Sequence, residues 1–235
     1  MKTFLIAGLA AVAFYCAPAL AARVKAPPAP APAPMFNWTG FYIGADVGGF
    51  RGDAHVLVND DPCCTAKLNP KGFLYGGHAG YRWQNQSPVV LGIEGDIWGI
   101  DGSTNEVANT DHPIGDTLRA TAGGSLRLQA GYALDRLLFY GTGGLAIIHV
   151  KGCTIEFFPG PCEAGDTFSG NRTGWTAGGG IDYAVTQNWT ARIEYLYADY
   201  GSHDYPTPSF VPPSVLGVHN FDTTSIRVGI SWKVP

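Results

Sequence analysis

The chain has 235 residues, a net charge of −4 and only 14% charged residues, against about 25% in a typical soluble domain. This composition disfavours a disordered chain, which needs low hydrophobicity and high net charge, and a nucleic-acid binder, which needs a basic patch. The 32 glycines and the 12% of aromatic residues favour instead a β-rich protein with a tightly packed or lipid-facing surface.

Residues 1–21 have the pattern of a secretory signal peptide. Lys2 supplies the positive start, an apolar run extends from Phe4 to Ala17, and the small residues of Ala19-Leu20-Ala21 predict cleavage after Ala21. The alternative, an uncleaved membrane helix, is disfavoured because the run is short and a proline follows it. No later stretch approaches the ~18 apolar residues of a spanning helix. The chain is therefore expected to be exported, as a soluble protein or a membrane barrel.

Residues 22–37 are rich in proline and alanine, with the run APPAPAPAP from Ala26 to Pro34. Alternating proline favours an extended polyproline II conformation. The segment predicts a periplasmic spacer ahead of a single domain over residues 38–235. A contact of this spacer with peptidoglycan is the functional alternative to a plain tether.

From Phe41 onward, apolar side chains alternate with polar or small ones. Residues 173–185 show the pattern best, with Trp175 and Tyr183 on one face and Thr176 and Asp182 on the other, which is the two-residue period of a β-strand. Eight strands are predicted, at residues 41–50, 73–84, 89–100, 119–134, 137–150, 173–185, 189–200 and 223–232. Most have the ~10 residues that a tilted strand needs to cross a bilayer, whereas soluble strands average about five or six. The fifth strand is ambiguous in face, because residues 137–140 are apolar on both sides.

The connections between these strands alternate in length. Residues 51–72, 101–118, 151–172 and 201–222 are long and polar, whereas residues 85–88, 135–136 and 186–188 form tight turns. Long loops at one end and short turns at the other are typical of bacterial outer-membrane barrels. The sequence therefore predicts an all-β fold, a closed eight-stranded antiparallel up-and-down transmembrane barrel with short periplasmic turns and long extracellular loops. It would lie in the outer membrane of a Gram-negative bacterium.

Aromatic residues fall at the ends of the predicted strands, where membrane barrels carry an aromatic girdle. The predicted periplasmic girdle is Phe41, Trp83, Tyr132, Tyr183, Trp189 and Trp232. The predicted outer positions are Phe73, Trp175 and Tyr197. A soluble eight-stranded barrel, the alternative, would need neither strands of this length nor aromatic residues banded at their ends.

The same alternation directs ten charged side chains into the barrel. They are Asp46, Arg82, Glu94, Asp96, Arg119, Arg127, Asp182, Arg192, Glu194 and Arg227. Because an unpaired charge in a narrow interior is costly, and because eight strands leave room only for side chains, five acids and five bases predict a lumen closed by salt bridges. An ion pathway is the alternative. On the closed-lumen interpretation, Arg127→Ala destabilises the barrel more than it changes permeability.

Four cysteines follow the predicted cleavage site: Cys63, Cys64, Cys153 and Cys162. All fall in predicted outer loops and in an oxidising compartment. A Cys153–Cys162 disulfide within one loop is the first expectation, but the sequence does not choose among the three full connectivities. The spacings do not match a structural zinc site.

Histidines and serines give little indication of catalysis. Of the six histidines only His78 is expected to face the lumen, and His203 with His219 is a weak metal or haem candidate. Ser125 and Ser231 also face inward, but the alternation places no histidine near either, so the nucleophile–base pair of a hydrolase is not predicted. No cofactor, metal or enzymatic activity is expected.

Several motifs, taken in order, resemble the outer membrane immunogenic proteins of alphaproteobacteria. The motifs are Trp38-Thr39-Gly40-Phe41-Tyr42-Ile43-Gly44, Gly92-Ile93-Glu94-Gly95-Asp96, Asp135-Arg136-Leu137-Leu138 before Tyr140-Gly141-Thr142-Gly143-Gly144, Thr173-Gly174-Trp175-Thr176, Tyr183-Ala184 and Glu194-Tyr195-Leu196-Tyr197. The resemblance covers roughly residues 36–232. It implies an abundant, antigenic surface barrel linked to envelope integrity, with haem binding or host contact in some members.

The expected function is a structural, surface-exposed role in the envelope, with at most a narrow porin-like passage of small solutes. The alternative is an adhesin or a ligand-binding protein, for instance for haem, acting through the outer loops. Its candidate contacts are Phe157, Phe158, Phe168, Tyr205 and Phe210. Expected partners are outer-membrane lipid, lipopolysaccharide and the barrel assembly machinery, and no nucleic acid.

Overall fold

The computed structural model describes residues 36–58, 65–102, 104–107, 115–155, 167–207 and 214–235. These belong to one compact unit, Met35–Pro235. The predicted signal peptide and nearly all of the predicted spacer lie outside the described residues. So do Cys63, Cys64 and Cys162, and the Cys153–Cys162 disulfide therefore stays a prediction.

The described residues form eleven β-strands. These are β1 (Gly40–Val58), β2 (Thr65–Leu68), β3 (Lys71–Gln84), β4 (Val89–Gly102), β5 (Thr104–Val107), β6 (Gly115–Leu134), β7 (Leu137–Ile155), β8 (Thr167–Ala184), β9 (Trp189–Asp199), β10 (His203–Thr207) and β11 (Ser214–Lys233). No helix in these ranges is long and apolar enough to cross a membrane.

Eight of the strands form a ring. In the order β1, β3, β4, β6, β7, β8, β9 and β11, each strand pairs antiparallel with the next. β11 then pairs with β1, from Tyr42 opposite Lys233 to Val58 opposite Leu216. The predicted closed eight-stranded antiparallel barrel is confirmed. Its short turns lie at one end, here called the turn end, and the longer connections lie at the other, the loop end.

The strands extend further toward the loop end than the alternation predicts. β1 continues to Val58, β6 begins at Gly115 and β11 begins at Ser214, so parts of the predicted loops are strand. The short strands β2, β5 and β10 pair with β1, β6 and β11 in the same region. Backbone pairing continues into a region where outward side chains are polar. Because hydrophobic alternation stops there, it underestimates the length of the strands.

Where burial is described, the ring strands follow a two-residue alternation, most regularly on β9. On β9, for example, Thr190, Arg192, Glu194 and Leu196 are buried, and the residues between them are exposed. The outward face of the ring carries many large apolar side chains, as expected for contact with lipid. On β7, Leu138 and Tyr140 point inward while Leu137 and Phe139 point outward, which resolves the ambiguity of that strand.

The interior has an apolar cluster at each end. The turn-end cluster is Phe36, Trp38, Val90, Ala133, Leu138, Tyr140 and Ala184. The larger loop-end cluster includes Phe50, Leu74, Trp98, Ile148, Val150, Val218 and Phe221. The charged side chains occupy the interior of the same ring, and this arrangement brings them into contact.

Candidate functional site

A balanced set of charges is buried inside the barrel. Nine of the ten side chains predicted to face inward do so, each at most 7% exposed: Asp46, Arg82, Glu94, Asp96, Arg127, Asp182, Arg192, Glu194 and Arg227. Arg172 is buried as well. The described interior therefore contains five acids and five arginines.

The prediction for Arg119 is wrong, because its side chain is exposed. Counting back from Arg127 in steps of two leads to Arg119, but the β6–β7 register shifts between Ala120 and Ala122. The extra residue of this bulge reverses the alternation beyond it. The prediction missed Arg172, an inward arginine that it had placed at the end of a loop. The Arg172 guanidinium lies 5.4 Å from the centre of the Phe221 ring.

Glu94 is at the centre of the interior charges. Its carboxylate accepts hydrogen bonds from Arg127 Nη2 at 2.6 Å and Arg192 Nη2 at 2.8 Å. The hydroxyl of Tyr42 donates a third at 2.7 Å. Because Glu94 has no solvent exposure, these donors replace the water that a carboxylate loses on burial.

Two of the ion pairs cross the full width of the lumen. Arg192 on β9 pairs with Glu94 on β4, and Arg82 on β3 pairs with Asp182 on β8 at 2.7 Å. In the ring of eight, β4 and β9 are four strands apart, as are β3 and β8. Each pair therefore joins diametrically opposite walls, and the side chains fill the lumen at this level.

The remaining carboxylates extend the same network. Asp96 accepts from Arg127 Nη2 and Ser125 Oγ, both at 2.9 Å, and pairs with Arg227 at 3.3 Å. The Tyr140 hydroxyl donates to Glu194 at 2.9 Å. Cations and anions thus alternate in contact through the interior, as a closed salt-bridge network requires.

Ser231 does have a histidine beside it, contrary to expectation. His78 Nε2 lies 2.7 Å from Ser231 Oγ, and His78 Nδ1 lies 2.5 Å from Asp46 Oδ2. His78 on β3 and Ser231 on β11 are both opposite Gly44 on β1, where a Cβ would lie 2.5 Å from the histidine ring. The missing side chain of Gly44 provides the space in which the two groups meet.

This Asp–His–Ser arrangement contains the residue types of a hydrolytic triad. All three side chains are buried, at 6% exposure or less. An interior cavity of about 20 Å³, room for about one water molecule, is lined by Trp98, Ser125 and Arg227 among others but by none of these three residues. Because all three side chains are buried, the arrangement fits an internal hydrogen-bond chain.

The turn end of the lumen is covered by the segment before β1. Phe36 N donates to Asp135 Oδ1 at 2.9 Å, and Trp38 Nε1 donates to the Asp135 carbonyl at 3.1 Å. Trp38 N also donates to Gln84 Oε1 at 3.0 Å. The two aromatic rings pack edge to face at 4.8 Å, and this segment closes the mouth of the barrel below the charge network.

The predicted periplasmic girdle residues all point outward at the turn end. Phe41, Trp83, Tyr132, Tyr183, Trp189 and Trp232 are 38–64% exposed. Trp189 lies opposite Trp232 in the β9–β11 register. Phe73 and Trp175 are exposed toward the loop end. The rings therefore border an apolar outer face at both ends.

Three aspartates form a row on the outer face at the loop end, beyond that apolar band. Asp222 on β11 lies opposite both Asp53 on β1 and Asp199 on β9. The pKa of the Asp222 carboxyl is raised above its ordinary value, first by partial burial and then by the charges of Asp53 and Asp199. Its ionised form therefore costs folding free energy at neutral pH, and the cost disappears as the pH falls through the raised pKa.

We expect Asp222→Asn to stabilise the barrel slightly at pH 7, by about 0.2–1 kcal/mol, because solvent screens this exposed repulsion. The gain should shrink as the pH falls through the raised pKa of Asp222, because the wild-type carboxyl then takes up a proton itself. Heat-modifiable gel migration gives the unfolding midpoint at each pH. Asp101→Asn, at an exposed aspartate opposite Phe73, is the control. An Asp222→Asn gain that persists unchanged at low pH would contradict the assignment.

The other predicted candidates do not form a metal site within the described ranges. His203 on β10 is opposite Val218, the neighbour of His219 on β11, but no three His, Cys, Asp or Glu side chains of the described residues are arranged to hold a metal. Of the loop aromatics assigned to ligand binding, Phe168 packs against the loop-end apolar cluster. Phe157, Phe158 and Phe210 lie outside the described residues.

Comparison with known proteins gives close relatives along the whole chain. The profile of the outer membrane protein beta-barrel domain matches residues 7–233. The 31 kDa outer-membrane immunogenic protein of Brucella melitensis is 36% identical, over 99% of this chain and all of that protein. The 22 kDa outer membrane protein of Rhizobium leguminosarum is 32% identical, over 85% of this chain and 80% of that protein. Among solved structures, Neisserial surface protein A aligns with a TM-score of 0.47 and 17% identity, over 83% of this chain and 98% of that one.

Proposed function

The chain belongs to the outer-membrane β-barrel protein family, and on that premise we propose that it is a closed structural barrel exposed at the cell surface, without catalytic activity. The loop end then faces the exterior and the turn end faces the periplasm. The surface-exposed part of the proposal is supported by relatives that are named outer-membrane immunogenic proteins. Its proposed partners are outer-membrane lipid, lipopolysaccharide, the barrel assembly machinery and, near the N-terminal spacer, peptidoglycan.

The observation that carries the closed-barrel proposal is the pair of ion bridges across the lumen. Arg192–Glu94 and Arg82–Asp182 join opposite walls with side chains that are almost wholly buried. The turn-end cluster lies on one side of the network and the loop-end cluster on the other. A solute would have to displace paired charges and two apolar layers, which opposes a porin role.

The proposal predicts that the refolded wild-type barrel gives no steady single-channel conductance in a planar bilayer. Trp38→Ala should be equally silent, because the charge network closes the lumen without the turn-end segment. Heat-modifiable gel migration must first verify that each sample is folded, and a conducting porin in the same bilayer serves as the positive control. Steady channels from folded wild-type protein would contradict the proposal, and channels from Trp38→Ala alone would assign closure to the N-terminal segment instead.

A further inference from the structure

Two cations lie side by side on the outer face of the wall. Arg119 on β6 is directly opposite Lys151 on β7, and both side chains are exposed. Opposed residues in antiparallel strands have Cβ atoms about 4.5–5.5 Å apart, and like charges there repel each other. Among the described residues, neither cation has an ion-pair partner. Within the part of the chain that the structure describes, this repulsion is therefore uncompensated.

Hydrogen-bonding side chains continue the patch onto β8. Lys151 is opposite Ser169, and His149 is opposite Asn171. The His149 ring lies 2.7 Å from Asn171 Oδ1 through Nδ1 and 3.3 Å from Ser169 Oγ through Nε2. We call Arg119, His149, Lys151, Ser169 and Asn171 the β6–β8 patch. It offers the positive charges of Arg119 and Lys151 flanked by hydrogen-bonding side chains.

The patch lies at the height of the outer-leaflet headgroups. A strand tilted by ~40° rises roughly 2.5 Å per residue along the barrel axis, so an apolar band of ~25 Å takes about ten residues. Counted back along β6 from the girdle residue Tyr132 toward the loop end, that band ends near Ala122. Arg119 lies just beyond it on the loop side. Because the patch points sideways from the wall, it faces neighbouring lipid and not the solvent above the barrel.

A second cross-strand cation pair differs in one respect. Arg51 on β1 is opposite Lys71 on β3, but Arg51 Nη2 lies 3.4 Å from Asp53 Oδ1 and 3.3 Å from Asn69 Oδ1. This pair is partly neutralised within the protein. The β6–β8 patch differs from this pair because its two cations have no ion-pair partner among the described residues.

We propose that the β6–β8 patch binds the phosphate groups of a lipopolysaccharide molecule in the outer leaflet. Arg119 supplies a planar guanidinium that can bind phosphate through two hydrogen bonds, and Lys151 supplies a second charge beside it. Ser169 adds a neutral hydroxyl. The inference rests on the outer-membrane location and not on the closed lumen, so it stands even if the barrel conducts.

The test compares binding of three probes to the folded full-length barrel in neutral detergent micelles. The probes are diphosphoryl lipid A, dephosphorylated lipid A and a heparin oligosaccharide. Arg119→Gln/Lys151→Gln should weaken diphosphoryl lipid A binding about 30-fold, taking about 1 kcal/mol for each surface cation. Dephosphorylated lipid A should bind both proteins equally, and added salt should narrow the difference.

The matched control is Arg51→Gln/Lys71→Gln, which removes the same charge from the same rim and should change binding less than threefold. Three results would overturn the proposal: equal lipid A affinity in wild type and the β6–β8 variant, equal losses in both double variants, or tighter binding of heparin than of diphosphoryl lipid A. Because both variants change exposed residues, gel migration is expected to show both folded.

Discussion

Arg127→Ala is expected to lower the free energy of unfolding by about 3–5 kcal/mol, since it removes one member of a buried ionic network. Arg127 Nη2 is within 2.9 Å of carboxylates of both Glu94 and Asp96, and Nη1 is 3.0 Å from Glu194. Without the guanidinium, these three acids remain buried with one cation fewer. Urea titration followed by tryptophan fluorescence in lipid vesicles measures the change.

Two further variants separate lost charge compensation from lost packing. Arg127→Met keeps much of the side-chain volume and should be nearly as unstable, whereas Arg127→Met/Glu194→Gln should recover part of the loss because one anion is removed with the cation. Arg51→Ala, at an exposed ion pair, should cost at most about 1 kcal/mol. A folded Arg127→Ala barrel with unchanged stability and a new steady conductance would show that the network is a gate and not a structural core.

Gly144→Ala is expected to be the most damaging single methyl addition in β7. Gly144 faces Arg127 across the β6–β7 pairing, and a Cβ there would lie 2.0 Å from the Leu126 carbonyl oxygen and 2.7 Å from the Arg127 Cα. These are backbone atoms of the paired strand, so no rotamer change relieves the clash. Gly144→Ala should lower the free energy of unfolding by about 3 kcal/mol, the upper part of the range for overpacking. The folded fraction of unheated samples on gels should fall accordingly.

The matched control is Gly49→Ala in β1, where an added Cβ would have nothing within 4 Å. It should change stability by less than about 0.5 kcal/mol. Equal folded fractions for the two variants would mean that β6 and β7 can separate locally at no cost, contrary to the continuous pairing from Gly115 to Leu134 apart from the one bulge.

The fold could be predicted from the sequence because lipid contact imposes a strict two-residue alternation on each strand. The alternation fixed the turn-end limits closely, for instance at Gln84, Val89, Leu134 and Leu137. It failed at the loop end, where water contacts the outer face and polar residues are tolerated on both sides. The added parts of β1, β6 and β11 lack a regular two-residue alternation; in β1, for example, the apolar residues Val56, Leu57 and Val58 follow one another directly.

The interior charges could also be predicted, except that Arg119 was expected inside the barrel and Arg172 was not. The bulge in β6 has no marker in Ala120-Thr121-Ala122, so strict counting placed Arg119 inside. Arg172 was left in a loop because the predicted strand began at residue 173, whereas β8 begins at Thr167. The His78–Ser231 contact required the register of two strands that meet only through β1 at ring closure. Gly44 is opposite both residues, and its missing side chain indicates space for a contact there. That indication can be read only when the register of β1 with both β3 and β11 is known.

The pairing of β1 with β11 has a consequence for how the molecule is made. The first and last strands form a seam whose partners are separated by almost the whole described chain, so the closing contact has the highest sequence separation in the fold. Until β11 is present, the growing sheet keeps two unpaired edges that invite aggregation, and the long loop closure makes this step slow. We therefore expect the chain to stay unfolded until its last strand has been synthesised, so that folding does not follow the order of synthesis.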